Sequence, residues 1–292
     1  MQETDHHTKA EGAESDVIAS LRPLLTTYAY NITGSLEDAH DMVQDAYLRF
    51  MQAKTAVDNP RAYLVRTVIN LSINRTRQRK RTEYPGQWLP EPVVTHQPDA
   101  ALQQNDILQF SLLVLLEKLN ARERAVFILR EAFHYEHPEI ADVLNISPAG
   151  SRQLLSRARS KLQAPSAPAP QRQQHNFLQK YLQVIRQGDT VRLEKLLNED
   201  ITAISDGGGK VAAAQKPVYG AADVAALLLG MYGKFYHAAQ VEEGTVNHQP
   251  ALFYYVNGQL TNCQVFLLKE GGISGVYFVR NPDKLRALEK NS

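Results

Sequence analysis

The fold of this chain is indicated most clearly by the stretch PEIADVLNISPAGSRQLLSRARSKL at residues 138–162. Pro138 suits the first position of a helix, and apolar residues then recur at helical spacing until Asn145. Ser147 is a favourable N-cap and Pro148 again suits a first helical position, so a second helix begins after a tight turn. A helix, a turn and an acid-free basic helix are typical of a helix-turn-helix, whose second helix enters the major groove of DNA.

The second helix of this motif has an apolar side for packing and a basic side for a partner. Arginine is well shaped for two-pronged contact with guanine or phosphate. The side chains left for DNA are Ser151, Arg152, Ser156, Arg157, Arg159 and Lys161. The pattern leaves one alternative open, an ordinary helical hairpin with a solvated basic face.

Positive charge is concentrated in two segments of a chain whose formal net charge is only +1. Residues 60–82 contain 7 Lys+Arg and no acid, and residues 147–163 contain 4 bases and no acid. The segments 1–59 and 83–146 each contain 4 Lys+Arg against 10 Asp+Glu. Basic patches in an acidic background favour a polyanion partner.

Cysteine usage and hydropathy indicate the compartment. Cys263 is the only cysteine, so no intramolecular disulfide can form. No basic-then-apolar signal peptide opens the chain, and no apolar run reaches membrane-spanning length. We therefore expect a soluble, cytoplasmic protein with no membrane partner.

Composition divides the chain into a tail, two linkers and three domains. The expected parts are, in order, a disordered tail at 1–13, a helical domain at 14–82, a Pro-rich linker at 83–100, a second helical domain at 101–163, a Pro/Ala linker at 164–172 and a third domain at 173–292. Within the second domain, one helix is predicted from Leu102 to Leu119.

The third domain has a different pattern from the other two. After its first helices, four segments alternate β-branched and aromatic residues, and one of their turns is Asn257-Gly258. The predicted fold class is therefore multidomain, with two all-α domains followed by an α+β domain. In that third domain helices come first and a curved antiparallel sheet follows.

In this order, the features resemble bacterial sigma factors of the sigma-70 family, and within them the extracytoplasmic-function (ECF) class. The resemblance covers residues 14–288. It rests on an acidic helical pair, a basic helix that begins Asn-Pro-Arg-Ala-Tyr-Leu, and a helix-turn-helix that ends Ser-Arg-Ala-Arg-Ser-Lys-Leu. Three motifs resemble the subgroup with a fused SnoaL-like cone of the nuclear-transport-factor-2 (NTF2) type. They are Trp88-Leu89-Pro90-Glu91-Pro92, Asp206-Gly207-Gly208-Gly209-Lys210 and Asn281-Pro282-Asp283-Lys284-Leu285.

The resemblance implies an RNA polymerase sigma factor that binds core RNA polymerase, directs promoter-specific initiation and is regulated in cis by its third domain. It implies no enzymatic activity, no cofactor, no metal and a monomeric free state. The first domain would bind the clamp helices of the polymerase through an acidic face with an apolar centre. The implied residues are Asp38, Asp41, Gln44, Asp45 and Leu48.

The resemblance also implies two contacts with promoter DNA. The basic helix would hold the minus-ten element as a single strand, by tracking phosphates and stacking on an unstacked base. The implied residues are Arg61, Tyr63, Arg66, Asn70, Asn74, Arg75, Arg77 and Lys80. The helix-turn-helix would read the minus-thirty-five element with Ser151, Arg152, Gln153, Ser156, Arg157 and Arg159.

A third domain that grips the first linker would set the separation of these two contacts. Trp88 is the candidate anchor, because tryptophan buries a large area and stiff prolines lower the cost of ordering. The implied regulatory residues are Trp88, Leu89, Pro90, Asp206, Gly207, Gly208, Gly209, Lys210, Asn281, Pro282, Asp283, Lys284 and Leu285. The alternative is that Trp88 packs on its own helices and the motifs are turns.

Two other functions are compatible with the sequence. One is a DNA-binding regulator with a small-ligand-sensing or enzymatic SnoaL-like pocket, in which Asp206 would act as a general base. Its position beside three glycines is more typical of a turn. The other is a dimeric DNA-binding repressor that needs no polymerase contact.

Overall fold

The computed structural model describes residues 19–53, 57–79, 84–95, 102–103, 106–162, 171–269 and 272–289. The chain forms two compact units that alternate along the sequence. Unit 1 comprises Met1–Thr82, Pro98–Ile107 and Leu116–Gln163, and unit 2 comprises Glu83–Gln97, Leu108–Leu115 and Ala164–Ser292. The predicted tail at 1–13 lies outside the described residues.

Helices account for unit 1 and for part of unit 2. In chain order they are α1 (19–33), α2 (Leu36–Met51), α3 (Pro60–Arg79), α4 (Phe110–Leu116), α5 (Ala121–Glu131), α6 (His137–Leu144), α7 (Pro148–Lys161), α8 (Gln171–Gln187), α9 (Thr190–Glu194), α10 (Ala221–Met231) and α11 (Pro282–Glu289). One π-helical turn, Tyr232–Tyr236, follows α10 directly.

Strands occur in unit 2. They are β1 (Leu197–Asp206), β2 (Val218–Tyr219), β3 (Gln240–Val246), β4 (Gln249–Val256), β5 (Gln259–Lys269) and β6 (Gly272–Val279). They form one sheet in the order β2-β1-β6-β5-β4-β3. The predicted fold class is confirmed, with one difference: β1 and β6 pair in parallel, and the other neighbours pair antiparallel. The sheet is therefore mixed. Strands β3 to β6 form an antiparallel meander, and β1, which comes earlier in the chain, lies beside β6 and runs parallel to it.

The predicted helix-turn-helix is confirmed in α6 and α7. Asn145 ends α6 in the left-handed conformation, at φ 51°, which asparagine tolerates better than most residues. The Ser147 hydroxyl then accepts a hydrogen bond from the Gly150 N–H at 3.0 Å, and Pro148 occupies the first turn of α7. The local sequence is sufficient to fix this turn.

The helix predicted from Leu102 to Leu119 is wrong at its start, because α4 begins only at Phe110. Backbone groups before it bond to side chains distant in sequence. The Gln103 N–H donates to the Thr27 hydroxyl at 2.9 Å, and the Asp106 carbonyl accepts from the Asn31 amide at 2.8 Å. These contacts hold the segment against α1 and satisfy the groups that a helix would have used.

A buried cation, Arg124, connects α5 to α1 and, through Glu117, to α3. The Arg124 side chain on α5 is fully buried and bonds to Glu117, which also accepts from Arg79 of α3 at 3.0 Å. Arg124 also donates to the Asn31 carbonyl of α1 at 3.2 Å. A buried guanidinium is tolerated only when it is paired, so Glu117 determines how α1, α3 and α5 pack.

The sheet of unit 2 has two covered faces. On one face, which we call the helical face, Ile201, Phe266 and Phe278 pack with residues of α8 and α10. On the other, the linker face, Val265 and Tyr277 pack with Leu89, Phe110 and Leu285. Side chains alternate between the faces along each strand, so neighbouring residues serve different cores.

No helix within the described ranges combines the length and the apolar character needed to cross a bilayer.

Replacing Glu117 by Gln is expected to destabilise unit 1. The substitution keeps the shape but leaves Arg124 buried without a counter-charge, at a cost on the order of 3 kcal/mol. Hydrogen exchange should become faster in α1, α3 and α5. The control is Glu131→Gln, which removes an exposed pair with Arg159 and should leave exchange unchanged. Equal exchange in the two variants would contradict the structural role of Glu117.

Candidate functional site

A buried carboxylate at the end of β1 holds the first linker in unit 2. Asp206 is fully buried, and one of its oxygens accepts from the Tyr84 hydroxyl at 2.7 Å. The other accepts from the Leu89 N–H at 2.9 Å. The linker segment, defined here as residues 84–95, is thus bound by both oxygens of one side chain. A charged acceptor makes each of these hydrogen bonds stronger than a neutral one.

Lys284 of α11 completes this linker site. Its ammonium lies 2.6 Å from Asp206 Oδ2 and also donates to the Leu89 carbonyl. The same ammonium lies 4.3 Å from the centre of the Trp88 ring and 5.1 Å from that of Tyr84. The ion pair and the two aromatic faces offset the cost of burying the Lys284 charge. Lys284 thus contacts both the backbone of the linker segment and its aromatic rings.

Tyr84 is protonated in this site. Burial raises the pKa of its hydroxyl, and the hydrogen bond to the Asp206 carboxylate raises it further. The same hydroxyl accepts from the Asn281 amide at 3.1 Å. Tyr84 therefore acts as a neutral donor that links the glycine motif to the start of α11.

The glycine motif makes room for the linker segment. Gly208 and Gly209 have φ values of +60° and +71°, which residues with a side chain rarely adopt. A Cβ on Gly209 would lie 2.7 Å from the Pro85 ring. The Gly208 N–H also donates to Asp206 at 2.9 Å. The predicted turn is present, and its glycines allow the close approach of Pro85.

The rest of the linker segment meets the end of β3 through a single antiparallel bridge. The Val93 N–H donates to the Asn247 side chain at 3.0 Å, and the Val93 carbonyl accepts from the Asn247 N–H at 2.9 Å. Val94 pairs antiparallel with Val246, and the Thr95 N–H donates to the Thr245 carbonyl at 3.2 Å. This pairing uses the backbone groups at the end of the edge strand β3 and fixes the path of the segment there.

The remaining motif residues divide into buried and exposed groups. Leu89, Pro90 and Leu285 are buried, whereas Pro282 is exposed and begins α11. Lys210 and Asp283 form an exposed pair at 2.5 Å, and that hydrogen bond lowers the pKa of Asp283. The motifs therefore meet around the linker segment through buried contacts at their centre.

Sequence reasoning missed Tyr84, Val93 and Asn247 as parts of this site. Tyr84 precedes the Trp88 motif, and its only sequence signal was the Pro85-Gly86 pair that follows it. Asn247 stands in a turn between strands at φ 48°, so its sequence context indicated turn chemistry alone.

The basic helix α3 presents its predicted DNA residues in two groups. Arg61, Arg66, Asn74 and Arg77 have side chains exposed to solvent, and Lys80 lies outside the described residues. The others make contacts within unit 1. Tyr63 packs on Phe50 at 5.8 Å, and Arg75 binds Asp38 at 2.7 Å.

Asn70 holds α3 to the helix-turn-helix. Its amide donates to the Val143 carbonyl of α6 at 2.9 Å. Nearby, the hydroxyls of Tyr28 and Tyr135 lie 3.0 Å apart. Two elements that sequence reasoning assigned to separate DNA contacts are therefore packed on each other in unit 1.

The acidic face of α2 is open to solvent. Asp41, Gln44 and Asp45 are exposed, and Leu48 is 49% exposed beside them. Met51, one turn further, is 79% exposed, so two large apolar side chains neighbour each other on this open helix face. Asp38 differs from this group because it is buried and pairs with Arg75, whose own side chain is exposed.

The second helix of the helix-turn-helix, α7, exposes a basic surface. Arg152, Gln153, Ser156, Arg157 and Arg159 are exposed along it. Ser151 is fully buried, and its hydroxyl lies 2.9 Å from His137 Nδ1. Ser151 therefore joins α6 to α7.

Family models match both helical regions of the chain. Residues 17–82 match Sigma-70 region 2, and residues 109–162 match Sigma-70 region 4. These matches cover α1–α3 and the segment from α4 to α7.

Curated relatives and a solved structure match almost the whole chain. The ECF RNA polymerase sigma factor SigJ of Mycobacterium tuberculosis is 31% identical over 91% of this chain and 91% of its own length. The probable ECF RNA polymerase sigma factor SigI of the same species is 25% identical, over 91% of this chain and 93% of its own length. The crystal structure of M. tuberculosis SigJ matches with a TM-score of 0.75 and 29% identity, covering 94% of this chain and 98% of that one.

Removing the charge of Lys284 is expected to release the linker segment. In Lys284→Met, Asp206 stays buried without a counter-charge, and breaking the pair costs on the order of 3 kcal/mol. Trp88 is the only tryptophan, so its emission should shift to longer wavelength as its ring becomes exposed. Proteolysis between residues 84 and 95 should become faster.

The matched control for this prediction is Lys210→Met. It removes an exposed ion pair of the same residue types and should leave Trp88 emission unchanged. Identical spectra for wild type and both variants would show that Lys284 does not hold the linker segment.

Proposed function

The chain belongs to the ECF RNA polymerase sigma factors, and from that premise we propose that unit 2 regulates initiation in cis by gripping the linker segment. Sigma factors bind core RNA polymerase and promoter DNA and are not themselves catalytic. The proposal therefore concerns what the sheet-containing part of the chain adds to this activity.

The Asp206–Lys284 pair is the observation that carries the proposal. Both charges are buried, and both contact the backbone of Leu89 or the rings that flank it. A site built only to stabilise the sheet would need no such charges, since an apolar pair of similar volume is often at least as stable. Asp206 and Lys284 bond to the backbone N–H and carbonyl of Leu89, so they stabilise the linker segment in one backbone conformation.

The grip matters because the linker segment joins α3 to α4 along the chain. In unit 1, Asn70 of α3 holds the Val143 carbonyl of α6, so the two proposed DNA-binding elements are packed together. The minus-ten and minus-thirty-five sequences are separate stretches of promoter DNA. To bind both at once, α3 and the helix-turn-helix must move apart. We propose that the packed arrangement is the resting state and that a held linker opposes its opening.

The proposed DNA contacts are the residues whose side chains are free to reach a partner. On α3 they include Arg61, Arg66, Asn74 and Arg77, and on α7 Arg152 and Arg157. Arg159 pairs with Glu131 and would join them when that exposed pair opens. Asn70, Tyr63 and Arg75 would join them after the contacts within unit 1 open. Exposed arginines suit phosphate tracking, and the amides suit an unstacked base.

The third domain is proposed to regulate by contact and not by catalysis. Its only candidate base from the sequence, Asp206, is occupied by Lys284, Tyr84 and the Leu89 N–H. A general base needs a free acceptor within reach of substrate, and these three donors occupy both oxygens. We further propose that the free protein is a monomer that works in the cytoplasm, where its polymerase is.

Reversing two charges on α2 is expected to abolish binding of core polymerase. In Asp41→Lys with Asp45→Lys, the exposed acidic face around Leu48 becomes basic, and like charges at an interface slow association and weaken the complex. Binding is measured by native gel shift or surface plasmon resonance with cognate core enzyme. Asp200→Lys with Asp223→Lys is the matched control, because both residues are exposed on unit 2. Unchanged binding by the α2 variant would favour a polymerase-independent DNA regulator.

Shortening Trp88 is expected to raise transcription from the cognate promoter. Trp88→Ala removes a ring that faces Lys284, which loosens the linker segment and lowers the cost of separating α3 from α6. Run-off transcription with core polymerase, on a template selected from a random promoter library, should yield severalfold more product. Trp88→Phe keeps an aromatic face and should restore the wild-type level. Wild-type output from Trp88→Ala, with normal core binding, would contradict regulation through the linker.

A further inference from the structure

The turn between β3 and β4 contacts two stretches of the chain that are separated from each other in sequence. One stretch is the end of the linker segment, at Val93 and Thr95, and the other is the approach to α4, at Leu108 and Ser111. We call residues 247–249, which make these contacts, the clasp. All of these residues belong to unit 2, although the chain between the two stretches passes through unit 1.

The Asn247 side chain bonds to both stretches at once. Its Oδ1 accepts from the Val93 N–H at 3.0 Å, and its Nδ2 donates to the Leu108 carbonyl at 3.1 Å. An asparagine amide carries both an acceptor and donors, so one side chain can satisfy an N–H of one segment and a carbonyl of another. Asn247 is fully buried, so losing either segment would leave a buried amide atom without that partner, at a cost in stability.

The two residues after Asn247 extend the same pattern. On the linker side, the His248 N–H donates to the Thr95 hydroxyl at 3.1 Å. On the other side, Gln249 Oε1 accepts from the Ser111 N–H at 2.6 Å. Ser111 is in the first turn of α4, where N–H groups have no partner within the helix. Gln249 therefore caps α4 from 138 residues further along the chain.

Apolar packing joins the same two stretches. Phe110, the first residue of α4, is fully buried, and its ring centre lies 5.7 Å from that of Tyr277 on β6. Val94 of the linker segment packs against the same core, which includes Val246 at the end of β3. The two stretches are therefore held by one hydrophobic core as well as by the clasp.

The clasp shortens the span of chain between the two proposed DNA-binding regions. Residues 96–107 leave the clasp after Thr95 and return to it at Leu108. While both ends are held, these twelve residues add nothing to the distance that the chain can cover between α3 and α4. Once released, they would add up to about 40 Å, because an extended chain spans roughly 3.3 Å per residue. Each base pair of DNA adds only about 3.4 Å, so the length held back is large on the scale of a promoter.

We propose that the clasp stays closed during initiation and limits the spacer length, which is the number of base pairs between the minus-ten and minus-thirty-five elements. Asn247 and Gln249 are then positioning residues for promoter choice. The proposal rests on the proposed function, because it takes α3 and α7 to bind the two elements. It concerns a different step from the grip of Asp206 and Lys284 on Leu89. That grip opposes the opening of unit 1, whereas the clasp limits how far the open regions can part.

Two variants open the clasp, and each has a matched control. Asn247→Gly removes the bridging amide and keeps the turn, because glycine readily adopts the φ of 48° found there. Its control is Asn257→Gly, in the exposed turn between β4 and β5, where φ is 52°. Gln249→Met removes the acceptor for Ser111 at similar volume, and it tests the proposal if Asn247→Gly fails to fold. Its control is Gln264→Met, because Gln264 is equally buried but bonds to tyrosines of the helical core.

The first readout is run-off transcription by the full chain with core polymerase, on templates that differ only in spacer length. Wild type should prefer one spacer sharply. In both clasp variants, output from templates a few base pairs longer should rise severalfold relative to output at the preferred spacer, and core binding should stay unchanged. Both controls should keep the wild-type profile. Wild-type profiles in both clasp variants would overturn the proposal, as would a wild type that uses every spacer equally.

The second readout is hydrogen exchange, which measures the clasp without DNA. The Val93 N–H should exchange roughly tenfold faster in Asn247→Gly, and the Ser111 N–H in Gln249→Met, as expected for the loss of one hydrogen bond. Unchanged exchange at both groups would show that these side chains do not hold the two stretches and would overturn the proposal. Failure of regulation through the linker is recognised separately, because Trp88→Ala then leaves output at the preferred spacer unchanged, whatever the spacer profile of the clasp variants.

Discussion

The buried Asp206–Lys284 pair is the constraint on which the arrangement of unit 2 depends. A carboxylate without water needs several donors, and Asp206 obtains them from Lys284, Tyr84, the Leu89 N–H and the Gly208 N–H. Gly208 is two residues from Asp206, but the other three donors are far from it in sequence: Tyr84 and Leu89 lie in the linker segment and Lys284 lies in α11. The end of β1, the linker segment and α11 must therefore come together, or two charges are left buried and unpaired.

Neighbouring residues on a strand of unit 2 lie in different environments, one on the helical face of the sheet and the next on the linker face. Because side chains alternate along a strand, Ser205 faces the helical core while Asp206 faces the linker segment. Arg280 and Asn281 alternate in the same way at the end of β6. The backbone also links the two strands here, since the Arg280 and Asn281 N–H groups both donate to the Asp206 carbonyl, at 2.8 and 2.9 Å.

Much of the fold could be predicted from the sequence, because its signals are local. The turn at Asn145–Ser147 needs one left-handed residue and one N-cap, and both are present in the sequence. The start of α4 could not be predicted, because Gln103 and Asp106 are held by Thr27 and Asn31 of α1. The backbone groups of this segment could bond within a helix or to distant side chains, and tertiary packing decides between the two. The periodicity of apolar residues carries no information on that choice.

The sequence by itself determined the helical domains, the helix-turn-helix, the sheet-containing third domain and the motifs around Trp88, Asp206 and Lys284. It determined them because capping, alternation and charge clustering act over a few residues. Only the tertiary structure decided that Tyr84 and Asn247 help to hold the linker segment, and that Asn247 also bonds to the Leu108 carbonyl. Those outcomes depend on strand register and on contacts across more than a hundred residues, where one carboxylate or one amide is shared between segments the sequence does not connect.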